Sequence, residues 1–326
     1  GGEVLVLDTE DSDQYTLLNG YLKRTDILDL TGVNFGYDLS EFWVGAGSTK
    51  KMLTNAPREQ YANLEDYGTL GFLQVNDLVD EIKLSYYDSS GVILGGLDVA
   101  LNVANGAFAA LGTLTENRLL YFGCFPANLR GDGTTFFAGL VTAGTIQGGH
   151  ITVQANSNTL GLQSEKIRIN INCPTLKGYE PIRLTWLNQW GVWDYYTFTM
   201  KSVKTTSTKG STYQQIEGTW NESTYQVNGF KGGKKSFRVN ATEKISMNTD
   251  FVSEAESEWF EDLINSPEVY ILDGYQSQAA NPALNQYATP VRLTTSSYTK
   301  KTVANDKLMQ YTFEVEKSKT LRTQSV

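Results

Sequence analysis

The C-terminal part of the chain alternates apolar and polar residues in a way that predicts a sheet. In residues 309–315 every second side chain is apolar, and in residues 245–251 Ile245, Met247, Thr249 and Phe251 alternate with polar residues, which is the period of a strand with one face against a core. Residues 269–272 and 290–296 predict two further strands between them. The expected order is strand, helix, strand, long loop, strand and strand.

The single helix of this part is predicted over residues 253–265. Ser253 followed by Glu256 is a capping box, in which each side chain accepts a hydrogen bond from the backbone of the other residue. Five residues give the helix one apolar face: Ala255, Trp259, Phe260, Leu263 and Ile264. Pro267 ends it, because proline cannot continue a helix.

The central region predicts more strands and turns. Residues 83–87 predict a strand that leads into a turn at 88–91, and residues 167–173 and 196–200 alternate in the same way. The Thr- and Lys-rich residues 205–211 predict the tip of a hairpin. Residues 126–160 are rich in Gly and Thr and predict a long hairpin or an extended loop. Residues 99–111 and part of 74–84 predict either a loop or a short helix.

These patterns predict a mainly β fold, a β-sandwich or a split barrel, with one short capped helix near the C-terminus. Residues 1–14 form an acidic arm that is an assembly arm, a calcium site or a solvated terminus. Residues 15–160 form a β-rich N-terminal domain with the loop 126–160. Residues 161–326 form a β-sandwich domain with the helix 253–265, and the boundary falls at 160–165.

Composition narrows the classes of partner. The net charge of −9 over 326 residues argues against nucleic acid binding, since each phosphate contact needs a cation. No membrane span is predicted, because the most apolar window, residues 92–111, is interrupted by Asp98, Asn102 and Asn105. Cys124 and Cys173 are either free buried thiols or a single bridge.

Candidate chemistry is sparse, and the sequence predicts a protein that is not an enzyme. His150 is the one histidine, so neither a histidine-based catalytic triad nor a histidine-rich metal site can form within one chain. No phosphate-binding glycine motif occurs. We therefore expect no cofactor and no metal, and only carboxylate chemistry is left open.

A cluster of aromatic residues is the clearest positive feature. It contains Trp186, Trp190, Trp193 and Tyr195, with Tyr196 next to them. Such rings form either a core or a subunit interface, where they supply much buried area, or a platform on which sugar rings stack. Asn188, Gln189 and Asp194 keep the glycan-binding alternative open.

The layout of the C-terminal quarter resembles the distal tail and minor tail proteins of long-tailed bacteriophages. In those proteins an alternating strand leads into an acidic helix, then a strand ending near a Gly or Pro loop, then two closing strands. The matching segments are residues 245–251, 253–259, 267–272 and 298–315.

This resemblance implies a virion structural protein located in the phage particle. Its expected place is a tail-tip, hub or baseplate ring, and its expected partners are other copies of itself and neighbouring virion proteins. The alternative is a carbohydrate-binding β module of a tail fibre or cell-surface protein, whose partner is a host surface glycan.

Overall fold

The computed structural model describes residues 20–21, 28–29, 36–37, 39–45, 47, 49–74, 78–100, 118–131, 135–172, 179–219, 223–227, 232–276, 286–295, 309–318 and 321–322. The predicted N-terminal arm, residues 1–14, and Cys173 lie outside these residues. The elements divide between an N-terminal and a C-terminal group.

Within the described residues, the N-terminal group contains eleven strands, two α-helices and a 3-10 turn at Ser40–Phe42. In chain order its elements are β1 (Leu28–Asp29), β2 (Gly36–Tyr37), β3 (Trp43–Val44), β4 (Glu59–Ala62), β5 (Thr69–Gln74), β6 (Glu81–Tyr87), β7 (Ile93–Ala100), β8 (Arg118–Gly123), α1 (Pro126–Gly131), α2 (Thr135–Thr142), β9 (His150–Ser157), β10 (Gly161–Leu162) and β11 (Ile167–Ile171). The C-terminal group consists of β12 (Ile182–Leu187), β13 (Trp193–Phe198), β14 (Ser202–Gln215), β15 (Gly233–Asn248), α3 (Glu254–Asn265), β16 (Val269–Gln276), β17 (Gln286–Leu293), β18 (Thr312–Lys317) and β19 (Leu321–Arg322).

The N-terminal group is a sandwich of two sheets. A six-stranded sheet has the order β4-β11-β9-β6-β7, with β10 paired to β9, and a three-stranded sheet has the order β3-β5-β8. Inward side chains of both sheets, such as Phe72 and Ile169, belong to one hydrophobic core. Leu129 of α1 and Phe137 of α2 also enter this core, so the helices close part of the sandwich.

In the part of the chain that the structure describes, the C-terminal group is an eight-stranded sheet with one helix. Its order is β13-β12-β16-β17-β18-β15-β14, and β19 pairs with β15. Helix α3 packs Trp259, Phe260 and Leu263 on one face of the sheet. The Ser253 side chain accepts from the Glu256 N–H, and the Glu256 carboxylate accepts from the Ser253 N–H at 2.8 Å, which satisfies two donors at the helix start.

The mainly β fold with a capped C-terminal helix is confirmed. Strands β6, β11 and β18 overlap the segments where alternation predicts them. Strand β13 begins and ends earlier than the predicted 196–200, β15 ends at Asn248 within the predicted 245–251, and β16 extends beyond the predicted 269–272. Strand β17 begins and ends earlier than the predicted 290–296. The last strand of the sandwich is β11 and the first strand of the eight-stranded sheet is β12, so the change of sheet lies after the predicted boundary at 160–165. No helix in the described part of the chain is long and apolar enough to cross a lipid bilayer.

The prediction of a hairpin or extended loop at residues 126–160 is wrong, because α1, α2, β9 and a turn fill most of it. Pro126 occupies a first helical position, which suits its fixed φ angle. In α2, Phe137, Leu140 and Val141 follow the three-to-four-residue spacing of a helix face and pack in or against the core. Several of the glycines on which the loop prediction was based lie outside the two helices. Gly144, for example, follows α2 and has a φ angle of 73°.

Two further predictions are corrected. Residues 205–211 lie in the middle of β14 and not at a hairpin tip, because β14 pairs with β15 from Ser202 to Gln215. Residues 81 and 82, in the range 74–84 of which part was predicted as loop or short helix, belong to β6, and Val99 belongs to β7. Residues 101–111 lie outside the described part.

Candidate interaction surfaces

A two-stranded ribbon extends from the edge of the eight-stranded sheet. Strands β14 and β15 pair over their whole length, with a bulge between Ser211 and Thr212. On its other side β15 pairs with β18 and β19, and among the described residues this pairing reaches no further than Asn240. Within this part of the chain, the six residue pairs from Gly210 to Gln215 continue as a two-stranded ribbon over about 20 Å.

The ribbon is exposed on both faces and carries apolar side chains near its end. Residues of β14 are exposed along almost the whole strand. Five large apolar residues are exposed at the far end, and we call them the apolar tip: Tyr213, Ile216, Tyr225, Val227 and Phe237. Phe237 is 68% exposed and meets the Tyr213 ring edge-on at 6.5 Å. An exposed apolar group of this kind marks an interaction surface.

The net charge of the ribbon is positive, whereas the net charge of the whole chain is negative. Residues 202–240 contain six Lys or Arg and two Glu, whereas the whole chain contains 27 basic and 36 acidic residues. Among the described residues, Lys209, Lys234 and Lys235 lie on the ribbon strands and are exposed. Exposed lysines also discourage uncontrolled pairing at a sheet edge.

The aromatic cluster of the sequence does not form one surface. Trp186 is fully buried in the core under α3, where it meets Trp259 at 5.0 Å. Trp190 is 2% exposed and packs against Phe42 at 4.1 Å, in a small cluster beside the three-stranded sheet. Its Nε1 donates to Asn55 Oδ1. Neither indole presents a ring face to a glycan.

Trp193 and Tyr195 lie on the sheet face opposite to Trp186. Trp186 pairs with Asp194 across the strands, and Leu187 pairs with Trp193, so alternation along β13 separates the two tryptophans. Trp193 is partly exposed and meets Tyr270 edge-on at 5.6 Å. Tyr195 turns toward the sandwich, and its hydroxyl lies 2.8 Å from Thr69 Oγ1.

Buried polar side chains join the sandwich to the eight-stranded sheet. Thr54 Oγ1 donates to Asp194 Oδ1 at 2.6 Å, and Trp259 Nε1 donates to Oδ2 at 2.8 Å. Asn188 Nδ2 donates to the Leu53 carbonyl. Burial raises the pKa of Asp194 from 3.8 to about 7, although these donors and Asn188 oppose the rise.

A buried ion pair forms a second link across the junction. Arg183 Nη1 lies 3.3 Å from Asp66 Oδ2, and its Nε donates to the Tyr67 carbonyl at 2.9 Å. The guanidinium also lies 4.8 Å from the centre of the Phe125 ring, a cation–π distance. Because both charges are buried, the fold depends on keeping them together.

His150 belongs to a different place, the outer face of the six-stranded sheet. A concavity of about 460 Å³ lies there. Six of the residues that line it are Arg58, Glu59, Tyr87, His150, Lys166 and Arg168. Sequence reasoning missed this group, although the alternation of Lys166 and Arg168 with buried Ile167 and Ile169 is a signal for two cations on one outer face.

The described residues contain no group of three His, Cys, Asp or Glu placed to hold a metal ion. Cys124 is a buried free thiol, and burial raises its pKa far above the ordinary thiol range. A thiol in this environment packs as a small apolar group.

In comparisons with known proteins, no family model, no curated protein and no solved structure matches this chain.

Proposed function

We propose that the chain is a bacteriophage virion structural protein that forms a ring in a tail tip, hub or baseplate. It acts by assembly and not by catalysis, and it contacts further copies of itself and neighbouring virion proteins. The observation that carries this proposal is the projecting ribbon with its exposed apolar tip. A two-stranded ribbon alone in water is marginally stable, so docking on a partner would stabilise it.

Charge favours a second copy of the chain as that partner. The ribbon is basic, and the remainder of the chain carries the excess of acidic residues. A ribbon docking on the body of the next copy makes a heterologous contact, and such contacts close into a ring when the rotation allows it. The order of β15, α3, β16, β17 and β18 supports the tail-protein assignment, since it has the layout on which the resemblance was based.

The test is the oligomeric state of the purified full chain, measured by mass photometry and negative-stain electron microscopy. We expect closed rings of several copies. Replacing residues 210–239 with Asn-Gly joins Lys209 to Asn240 through a two-residue hairpin turn. This shortened variant should be monomeric with an unchanged melting temperature, because the described residues among those removed lie outside the hydrophobic cores.

Point variants separate the apolar tip from the length of the ribbon. Tyr213→Ser with Phe237→Ser should weaken assembly at least tenfold, as expected for aromatic anchors of an interface. Val203→Ser is the matched control, because Val203 is an exposed apolar residue at the base of the ribbon. A monomeric full chain, or rings that persist in the double variant, would refute the assembly proposal. Absence of the chain from purified phage particles would refute its virion part.

A further inference from the structure

The concavity on the six-stranded sheet assembles residues that are distant in sequence. Strand β11 pairs in parallel with β4, which places Arg168 beside Glu59, and antiparallel with β9, which places Arg168 beside Thr152. Strand β6 places Tyr87 beside His150. The volume of about 460 Å³ is within the range of small-molecule sites.

Positive charge is concentrated in this concavity although the chain is acidic. Lys166 is exposed and has no ion-pair partner among the described residues. Arg58 uses Nε to bind Glu165 at 2.7 Å, while its side chain remains 67% exposed. Arg168 donates from Nε to Asn170 Oδ1 at 2.8 Å, and its Nη1 lies 3.9 Å from Glu59. The guanidinium groups thus keep N–H donors available for an anion.

A flat aromatic pair forms part of the wall. The rings of Tyr87 and His150 are stacked, with centroids 4.5 Å apart and planes within 3°. Gly149 allows this approach, because a Cβ there would overlap the Tyr87 carbonyl oxygen. Burial, followed by Arg168 and then Lys166, lowers the pKa of His150, and Glu59 opposes them. The environment of His150 in the folded chain therefore favours the neutral imidazole.

We propose that this concavity binds an acidic saccharide. The saccharide carboxylate lies against Lys166, Arg58 and Arg168, and its sugar ring lies against the Tyr87–His150 pair. Glu59 accepts hydrogen bonds from sugar hydroxyls. This site belongs to the sandwich and not to the ribbon, so the inference stands apart from the ring proposed above.

A sugar acid fits the residues better than a nucleic acid does. A phosphate backbone requires a track of several cations, whereas three cations here surround one concavity. Glu59 would repel a phosphate that has no hydroxyl to donate. The pairing of cations with a carboxylate acceptor instead matches a ligand that carries both a carboxylate and hydroxyl groups.

The test measures binding to the full chain by isothermal titration calorimetry. Tetragalacturonate is the acidic probe, and maltotetraose is the neutral one. Inorganic phosphate and a ten-nucleotide oligothymidylate test the other anions. We expect tetragalacturonate to bind, more weakly as salt rises, and at least tenfold more tightly than the other three probes.

Variants then locate the site. Lys166→Gln with Arg168→Gln should weaken tetragalacturonate binding at least tenfold, whereas Lys209→Gln on the ribbon should leave it unchanged. Tyr87→Phe should retain binding, and Tyr87→Leu should weaken it several-fold. The proposal is overturned by no binding of tetragalacturonate, by equal or tighter binding of maltotetraose, phosphate or the oligonucleotide, or by full binding in the Lys166–Arg168 double variant. Circular dichroism spectra of each variant confirm that it is folded.

Discussion

Asp194 makes the stability of this protein depend on pH in an unusual direction. Its pKa rises from 3.8 to about 7 in the folded chain, chiefly because burial disfavours the carboxylate. Between about pH 4 and pH 7 the folded state therefore binds more protons at this residue than the unfolded state does. The free energy of unfolding must fall as the pH rises through this range.

The size of this loss in free energy of unfolding follows from the same two pKa values. Each tenfold change in proton affinity is worth about 1.4 kcal/mol, so the rise from 3.8 to about 7 corresponds to a loss on the order of 4 kcal/mol between acidic and alkaline conditions. Asn is nearly isosteric with the protonated acid. Its Oδ1 can accept from Trp259 Nε1, and its Nδ2 can donate to Thr54 Oγ1, so Asp194→Asn should remove this loss.

Urea titrations of both proteins from pH 5 to pH 8.5 test the prediction. The advantage of Asp194→Asn in free energy of unfolding should already be growing at pH 5, which lies above the unfolded pKa of 3.8, and it should stop growing above about pH 7. The lowered pKa of His150 contributes a slope of opposite sign, because its neutral form is favoured on folding, but this contribution is common to both proteins and cancels in their difference. Parallel pH profiles would refute the reasoning.

Trp259→Phe provides a second arm of the same test. It removes an N–H that stabilises the Asp194 carboxylate, so the pH at which stability falls should move upward. Loss of packing lowers stability at every pH and does not by itself move this midpoint. A midpoint that moves downward would contradict the assignment of Asp194 as the titrating group.

The remaining predictions concern single contacts, and urea titrations measure all of them. Arg183→Ala should lower the free energy of unfolding by about 3 kcal/mol or more, since Asp66 would remain buried without its cation, whereas Arg292→Ala, which breaks an exposed pair with Glu316, should cost less than about 1 kcal/mol. Equal costs would contradict the importance given to burial. Ser253→Ala should cost about 1 kcal/mol and Ser253→Asp should not, because aspartate also accepts from the helix N-terminus; equal losses would exclude the cap as the cause.

Elements with local signals could be predicted from the sequence. The capping box of Ser253 and Glu256 lies within four residues, and it marks the start of α3. Phe313 and Val315 alternate because one face of β18 covers the core. These features need no knowledge of distant parts of the chain.

The ribbon could not be predicted in the same way. A strand that is exposed on both faces has no apolar alternation, so Thr205 to Ser211 resemble a turn in composition. Threonine does favour strands, but its partner strand begins only at Gly233. The pairing that makes this segment a ribbon is a long-range property.

The concavity on the sandwich and the placing of the tryptophans in the eight-stranded sheet depend on long-range contacts as well. The register of β12 with β13 puts Trp186 and Trp193 on opposite faces of the sheet, and the sequence does not tell which face α3 covers. Likewise, the parallel pairing of β4 with β11 brings Glu59 to Arg168. A register between strands so far apart in sequence leaves no local trace.

The buried polar junction links the fold to the proposed assembly. Each polar group there needs its partner once it is removed from water, as the contacts of Arg183 with Asp66 and of Asp194 with Thr54 illustrate. An apolar junction would tolerate sliding, whereas hydrogen bonds and a buried ion pair favour one relative position of sandwich and sheet. The ribbon is then held at one angle to the body on which a neighbouring copy would dock. Such preorganisation lowers the entropic cost of association, and a closed ring requires it because every contact must repeat the same rotation.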